Sequence, residues 1–355
     1  MASPPAFRGA RGCVTIPPMI QPLGPSERER ARALVQAEGL AFDLDLDDLV
    51  GAYQGGELVA VGARRAGVLK MLAVAPAHQG GSLLGEIVTE LVRLGSAAGH
   101  DAFFVFTRPA HAPSFEALGF TLLATQGRAA LLEWGDGLGR WLAASRPLVR
   151  DGANGAVVVN CNPFTLGHRH LVEEAARRAD TLYVFVVRED RSAFPFDVRL
   201  RLVREGTSDL ANVRVLDTSR YAVSALTFPA YFLRQADDVA AIQMELDLRL
   251  FARRIAPFFQ VRRRFFGTEP FCATTRAYNA AMLRLLPPLG VEPVQLERLR
   301  GSGEAISASR VRAALRKGEL EGLEALVPPA TLRFLRSPEA GAIRARLAAG
   351  EERHA

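Results

Sequence analysis

Apolar residues recur along the chain in two rhythms. Between Ser82 and Ala97, Leu83, Ile87, Leu91 and Leu94 fall at helical spacing. Stretches 57–63 and 68–74 read as strands, with Gly67 as the turn signal between them. Phe103-Phe104-Val105-Phe106 fits a short buried strand, and 114–118 a short helix closed by Gly119. Stretches 120–124 and 129–132 supply a last pair of strands. This first region predicts a small mixed α/β domain. From Gly155 onward the rhythm becomes strand then helix. Gly155-Ala156-Val157-Val158-Val159 is a continuous apolar run, as in a strand buried on both faces of a parallel sheet. A helix over 167–179 follows, with Leu171, Ala175 and Ala179 on one face. Strands are then predicted at 181–187, 213–216, 264–266 and 291–296, and helices at 197–205, 228–254, 275–286, 308–317 and 320–326. The alternation predicts a doubly wound parallel sheet.

Gly135-Asp136-Gly137 and Gly139 interrupt the pattern, and 148–155 reads as a linker, which places a domain boundary near residue 145. The expected organisation is a lead-in over 1–25, a mixed α/β domain over 26–145 and the doubly wound domain over 150–345. The lead-in carries Pro4, Pro5, Pro17, Pro18, Pro22 and Pro25 with no apolar segment before a cleavage-like site. It reads as disordered and not as a signal peptide.

Composition narrows the chemistry. A chain 49% hydrophobic and 23% charged is ordinary for a soluble globular protein. No apolar run reaches the roughly 18 residues of a membrane span, so no membrane partner is expected. Cys13, Cys161 and Cys272 lack ligand-like spacing and suggest neither disulfides nor zinc; a cytoplasmic setting fits. The formal charge is +6, but the arginines are dispersed, and no nucleic-acid partner is expected. The densest cluster, Arg262-Arg263-Arg264, reads first as a solvated edge beside a buried strand and second as a polyanion site. Lys70 and Lys317 are the sole lysines. A phosphate site here must therefore rely on Arg, His and backbone amides.

Two segments carry that chemistry. The strand ending at Val159 runs through Asn160-Cys161-Asn162-Pro163-Phe164-Thr165-Leu166-Gly167-His168 into a helix. In open parallel sheets ligands bind at the carboxyl ends of strands, where helix N-termini present free N–H groups. Gly167 allows close approach to the backbone, and His168 puts an imidazole on the first turn. Far downstream, Ile306-Ser307-Ala308-Ser309-Arg310-Val311-Arg312 opens another predicted helix after Gly301-Ser302-Gly303. Ser307 is a natural N-cap. Ser309 and Arg312 would then face one anion at the positive end of that helix.

The pair T-x-G-H and I-S-x-S-x-x-R resembles the signature of the HIGH-type nucleotidyltransferases, which share a Rossmann-like fold. Within them the chain is similar to the citrate lyase ligase family. The likeness is carried by Asn162 through Arg169, by Tyr221 through Leu233 with Thr227-Phe228-Pro229 and Tyr231-Phe232, by Phe266-Gly267-Thr268-Glu269-Pro270-Phe271 and by Ile306 through Arg312. It implies an enzyme that uses ATP to activate acetate as acetyl-AMP. The acetyl group then passes to the thiol of a CoA-like prosthetic group on the citrate lyase acyl-carrier subunit, with AMP and pyrophosphate released. By this likeness Thr165 and His168 would stabilise charge at the α-phosphoryl, and Ser307, Ser309 and Arg312 would hold the β- and γ-phosphates. Arg188 would reach the carboxylate or α-phosphate. Asn160, Asn162, Pro163, Phe164, Gly167, Gly267, Thr268, Glu269 and Ile306 complete the expected ATP site, with Mg²⁺ held mainly by phosphates and water. Two alternatives share these residues: an adenylyltransferase acting on a phosphate acceptor, and the same acetyl-ligase reaction on a malonate decarboxylase carrier.

The first domain resembles a GNAT-type acetyltransferase through Val74, His78-Gln79-Gly80-Gly81-Ser82-Leu83-Leu84 and Phe115-Glu116-Ala117-Leu118-Gly119-Phe120. Leu84 stands where that fold wants a small residue near the CoA pyrophosphate. The resemblance therefore implies a docking or prosthetic-group-binding module, or a structural part.

Overall fold

The computed structural model describes residues 19–188, 192–221, 231–233, 238–269, 272–301 and 304–350. Cys13, Thr227-Phe228-Pro229, Pro270-Phe271 and Ser302-Gly303 lie outside the described residues, as does most of the expected lead-in. The chain forms two compact units, Met1–Val105 with Ala230–Arg234, and Phe106–Pro229 with Gln235–Ala355.

The first unit contains β1 (Met19–Pro22), α1 (Arg28–Ala37), β2 (Asp48–Gln54), β3 (Glu57–Arg65), β4 (Val68–Val74), α2 (Leu83–Ala97) and the start of β5 (Phe103–Thr107). The strands run in the order β1-β2-β3-β4-β5, antiparallel except for the parallel pair β4/β5. Helix α2 buries Leu83, Ile87 and Leu91 of the apolar stripe its spacing predicted, with Leu94 half-buried. Gly62 on β3 makes room for it, since a Cβ there would lie 2.4 Å from Ile87 Cγ2. A strand, Met19–Pro22, falls within the expected lead-in. Met19–Pro22 pairs with Val50–Tyr53 as an edge strand, a position that tolerates a proline. Tyr231–Leu233 are not helical, although a helix was expected from 228. The Ala41 N–H donates to the Tyr231 carbonyl at 2.8 Å, and Tyr231 and Phe232 are buried. The Gln79 amide is committed to its own scaffold, donating to Val74 O at 2.9 Å and to Glu38 at 2.8 Å.

The second unit begins with α3 (Ala112–Glu116), the antiparallel pair β6 (Thr121–Gln126) and β7 (Ala129–Trp134), and α4 (Gly137–Ser145). Helix α4 falls where glycines predicted only a break. Asp136 takes a positive φ of 50° ahead of it, and Trp141 then packs on Phe185, Tyr221 and Phe259.

From Asn154 the strands fall where the sequence predicts them, with helices between them. Strand β8 (Asn154–Val159) leads to α5 (Leu166–Ala176), β9 (Leu182–Val186), α6 (Phe196–Gly206) and β10 (Val213–Asp217). After α7 (Val239–Leu250), a π-helical turn (Phe251–Ile255) and α8 (Ala256–Phe258) come β11 (Val261–Gly267), α9 (Ala273–Leu285) and β12 (Glu292–Leu296). All neighbours are parallel, in the order β10-β9-β8-β11-β12. Alternate residues serve opposite faces. Val157, Val184 and Phe265 join Val172 and Ala175 of α5 in one core, while Tyr183 and Phe185 pack against Phe251, Phe259 and Trp141 on the other side. Both faces are covered, which is why β8 and β9 read as continuous apolar runs. The fold class is thus a mixed α/β region followed by a doubly wound parallel sheet.

Two short strands, β13 (Arg300–Gly301) and β14 (Glu304–Ala305), precede α10 (Ala308–Arg316), α11 (Pro329–Arg336) and α12 (Gly341–Ala348). The helix expected at 320–326 is only a 3₁₀ turn, Leu323–Ala325, behind Gly322 at φ +79°.

Candidate active site

Strand order reverses between β8 and β11, and connections leave them in opposite directions. A crevice at that point is a consequence of the topology. A cavity of about 530 Å³ opens there, lined by Val158 and Val159, by Arg264 through Gly267, and by both signature segments.

Thr165 is the N-cap of α5, and its cap is reciprocal. Thr165 Oγ1 accepts the His168 N–H at 3.3 Å, while His168 Nδ1 accepts the Thr165 N–H at 3.1 Å and lies 2.9 Å from Oγ1. This is a capping box with histidine in the place usually held by Glu or Gln. Because a backbone N–H donates to Nδ1, the ring proton of a neutral His168 sits on Nε2. Burial, and secondarily the Arg298 guanidinium, lower the His168 pKa to about 4. The imidazole is therefore neutral at pH 7. It also stacks on Phe164, 6.0 Å between centroids at 15°.

Ser307 caps α10 one way only, its hydroxyl accepting the Arg310 N–H at 3.3 Å. The two helix N-termini, 11 and 9 residues long, open on one cavity. Gly167 is the contact between them. A Cβ there would lie 2.8 Å from the Ile306 carbonyl oxygen, so the glycine admits the second signature's backbone.

The expected site residues divide by position. Thr165, Gly167, His168, Gly267, Glu269, Ile306, Ser307 and Ser309 line the cavity. Thr268 stands at its margin, its hydroxyl accepting the Arg298 N–H at 3.3 Å. Asn160, Asn162, Pro163, Phe164 and Arg312 are not in the lining, because they build the loop that holds it. Asn160 Oδ1 accepts from buried Arg199 at 2.7 Å, and Asn162 Oδ1 accepts the Phe194 N–H at 3.0 Å. Phe164 is wholly buried. Arg312, also buried, donates to the Asn162 carbonyl at 2.7 Å and to Ser309 Oγ at 3.3 Å, tying α10 to the loop after β8. Arg188 lies outside the lining too. It follows β9, pairs with Asp217 at 3.1 Å and sits 4.3 Å over the Phe196 ring.

Several lining residues were absent from the expected site, among them Arg298, Cys272, Asn279 and Arg264. Arg298, just past β12, is ion-paired with Glu269, which also accepts the Cys272 N–H at 3.1 Å. Cys272, at the N-cap of α9, has a thiol pKa lowered by the Thr275 hydroxyl and neighbouring amides. Asn279 donates to the Gly267 carbonyl at 2.9 Å. Arg264 belongs to the run read as a solvated edge, but is 4% exposed inside β11. The carboxyl ends of β11 and β12 were the available signal for Arg298 and Cys272. Among the described residues, no three His, Cys, Asp or Glu side chains gather as metal ligands. No described helix is long and apolar enough to cross a membrane.

The citrate lyase ligase C-terminal domain family matches residues 154–335. The chain is 39% identical over 315 residues to a citrate (pro-3S)-lyase ligase of Klebsiella pneumoniae, covering 87% of this chain and 92% of that one. It is 35% identical to the corresponding ligase of Escherichia coli K12, covering 84% and 87%. A solved structure, the GNAT domain of S. lividans PAT, aligns with TM-score 0.29 and 14% identity over 33% of this chain and 89% of its own.

Proposed function

Because the chain belongs to the citrate lyase ligase family and is thus a ligase acting on citrate lyase, we propose that it activates acetate with ATP as acetyl-AMP and acetylates the carrier-subunit thiol. An acetate oxygen attacks the α-phosphorus and forms the C–O–P bond as the bond to pyrophosphate breaks. The thiol of the CoA-like group then attacks the acetyl carbonyl, a C–S bond replaces C–O, and AMP leaves.

The observation that carries this reading is the convergence of the α5 and α10 N-termini on the cavity at the sheet's switch point. In-line transfer needs positioned donors more than covalent chemistry. Neutral His168 offers its Nε2–H to a non-bridging oxygen whose charge grows as pyrophosphate departs, with no proton moved. Thr165 holds the ring in that tautomer. In α5 the Leu166 N–H is taken by the Leu326 carbonyl and the His168 N–H by Thr165, so Gly167 N–H, the first amides of α10 and the hydroxyls of Ser307 and Ser309 bind the remaining phosphate oxygens. Arg298 adds positive charge once an anion competes with Glu269 for it. Arg312 positions both segments and is not itself in the cavity, and Arg188 would have to leave Asp217 to act. Mg²⁺ would come with ATP, held by phosphate oxygens and water, and would supply charge neutralisation. Of the carboxylates in the lining, Glu269 and Glu297, Glu269 is already committed to Arg298 and the Cys272 N–H.

The test is incubation with ATP, acetate and hydroxylamine. Acetohydroxamate and AMP in equal amounts are expected. If several carboxylates yield no hydroxamate, the adenylate reading is wrong.

A further inference from the structure

Arg264 stands mid-strand in β11, level with Ala156 of β8 and Pro293 of β12. Its Cζ lies 4.4 Å from the Phe251 ring centroid and 5.6 Å from that of Tyr278. Nη2 donates to the Tyr278 phenol oxygen at 3.0 Å, and that phenol donates to Asp247. Burial drives the Tyr278 pKa up, so it remains a neutral link between cation and carboxylate. Nη1 is buried and has no hydrogen-bond partner among the described residues.

A guanidinium cannot escape this by losing its proton, and a buried cationic N–H without an acceptor is costly. The rings and Tyr278 fix the group, so the open donor has a fixed direction. An anionic oxygen entering the cavity would satisfy it. Phosphates already have the two helix N-termini, and Arg264 lies deeper in the sheet, three residues before the end of β11 at Gly267. The neighbouring lining is apolar: Val158, Phe266 and Met282. That combination suits a small carboxylate with a short alkyl group.

We propose that Arg264 anchors the carboxylate of the acyl substrate and that Val158, Phe266 and Met282 limit its alkyl length. The assignment rests on the carboxylate-activation reading above. Arg264 also borders a void of about 20 Å³ beside Thr218, Tyr221 and Asp247, room for one water. A water there would give Nη1 a purely structural role.

The experiment is acetate-dependent ATP–pyrophosphate exchange by the full chain, comparing wild type, Arg264→Met and Arg264→Lys. The KM for acetate should rise at least about tenfold in Arg264→Met, with the KM for ATP within about twofold. Arg264→Lys keeps the buried charge and should show a smaller rise in the same parameter; it carries the test if Arg264→Met does not fold. An unchanged acetate KM, or an equal rise for ATP, overturns the anchor alone. Absence of carboxylate-dependent exchange in the wild type overturns the activation reading and the anchor with it.

Discussion

Thr165 and His168 cap each other. The threonine hydroxyl accepts the histidine N–H at 3.3 Å, and the histidine Nδ1 accepts the threonine N–H at 3.1 Å. One motif thus starts helix α5 and sets the imidazole tautomer. Thr165→Val removes the hydroxyl but keeps the shape. It should cost about 1 kcal/mol of stability as a lost cap and lower exchange activity by more than tenfold, because the ring is less firmly held. Thr165→Ser should recover most of both in thermal melts and exchange assays.

His168 should act as a neutral donor. Its Ala variant is expected to lose about 10²–10³ in kcat with a smaller change in the KM for ATP, as when one charge-stabilising donor is removed. Steady-state kinetics of hydroxamate formation measures both.

The same residue makes a pH prediction about stability. The folded pKa of about 4 is below the ordinary value of 6.5, so between them the unfolded chain binds a proton that the folded chain does not. The contribution of His168 to stability should fall as pH drops from about 6.5 towards 4 and level off below. In urea unfolding, His168→Gln should show a shallower loss across that window than wild type. Equal slopes would count against the neutral ring.

Gly167 and Gly267 separate a packing glycine from a permissive one. A Cβ at 167 would press to 2.8 Å on the Ile306 carbonyl, which is backbone, while at 267 the nearest atom, Arg298 Cγ, is 3.8 Å away. Gly167→Ala should destabilise by about 1–3 kcal/mol and depress activity by parting the two signature segments. Gly267→Ala should fold normally. Melting curves and ATP titrations on the two variants decide this.

Arg312 bridges Asn162 O and Ser309 Oγ from a buried position. Arg312→Met leaves the Asn162 carbonyl without that donor and should cost about 1–3 kcal/mol. It should also raise the KM for ATP, since α10 would no longer be tied to the β8 loop. Arg312→Lys, with one compact donor group, should restore at most one of the two bonds.

What the sequence determined by itself was local. Apolar runs marked β8 and β9, and strand–helix alternation marked the doubly wound sheet. Ser307 marked one helix start, because a cap is written within four residues of itself, and the run from Val159 to His168 marked another only as a strand-to-helix turn. Elements without strong periodicity, such as β1, β2 and α4, went unread, since edge pairing and glycine-rich starts leave little trace. Tertiary structure decided which distant groups meet. Only the order β10-β9-β8-β11-β12 brings the β11 end beside the first signature, turns Arg264 from an apparent surface charge into a buried one, and sets Arg298 near His168. Only packing reveals that Gly167 makes way for Ile306 and that Arg312 holds the loop. Periodicity fixes a residue's neighbours along its own element; burial and partners across the sheet come from strand order.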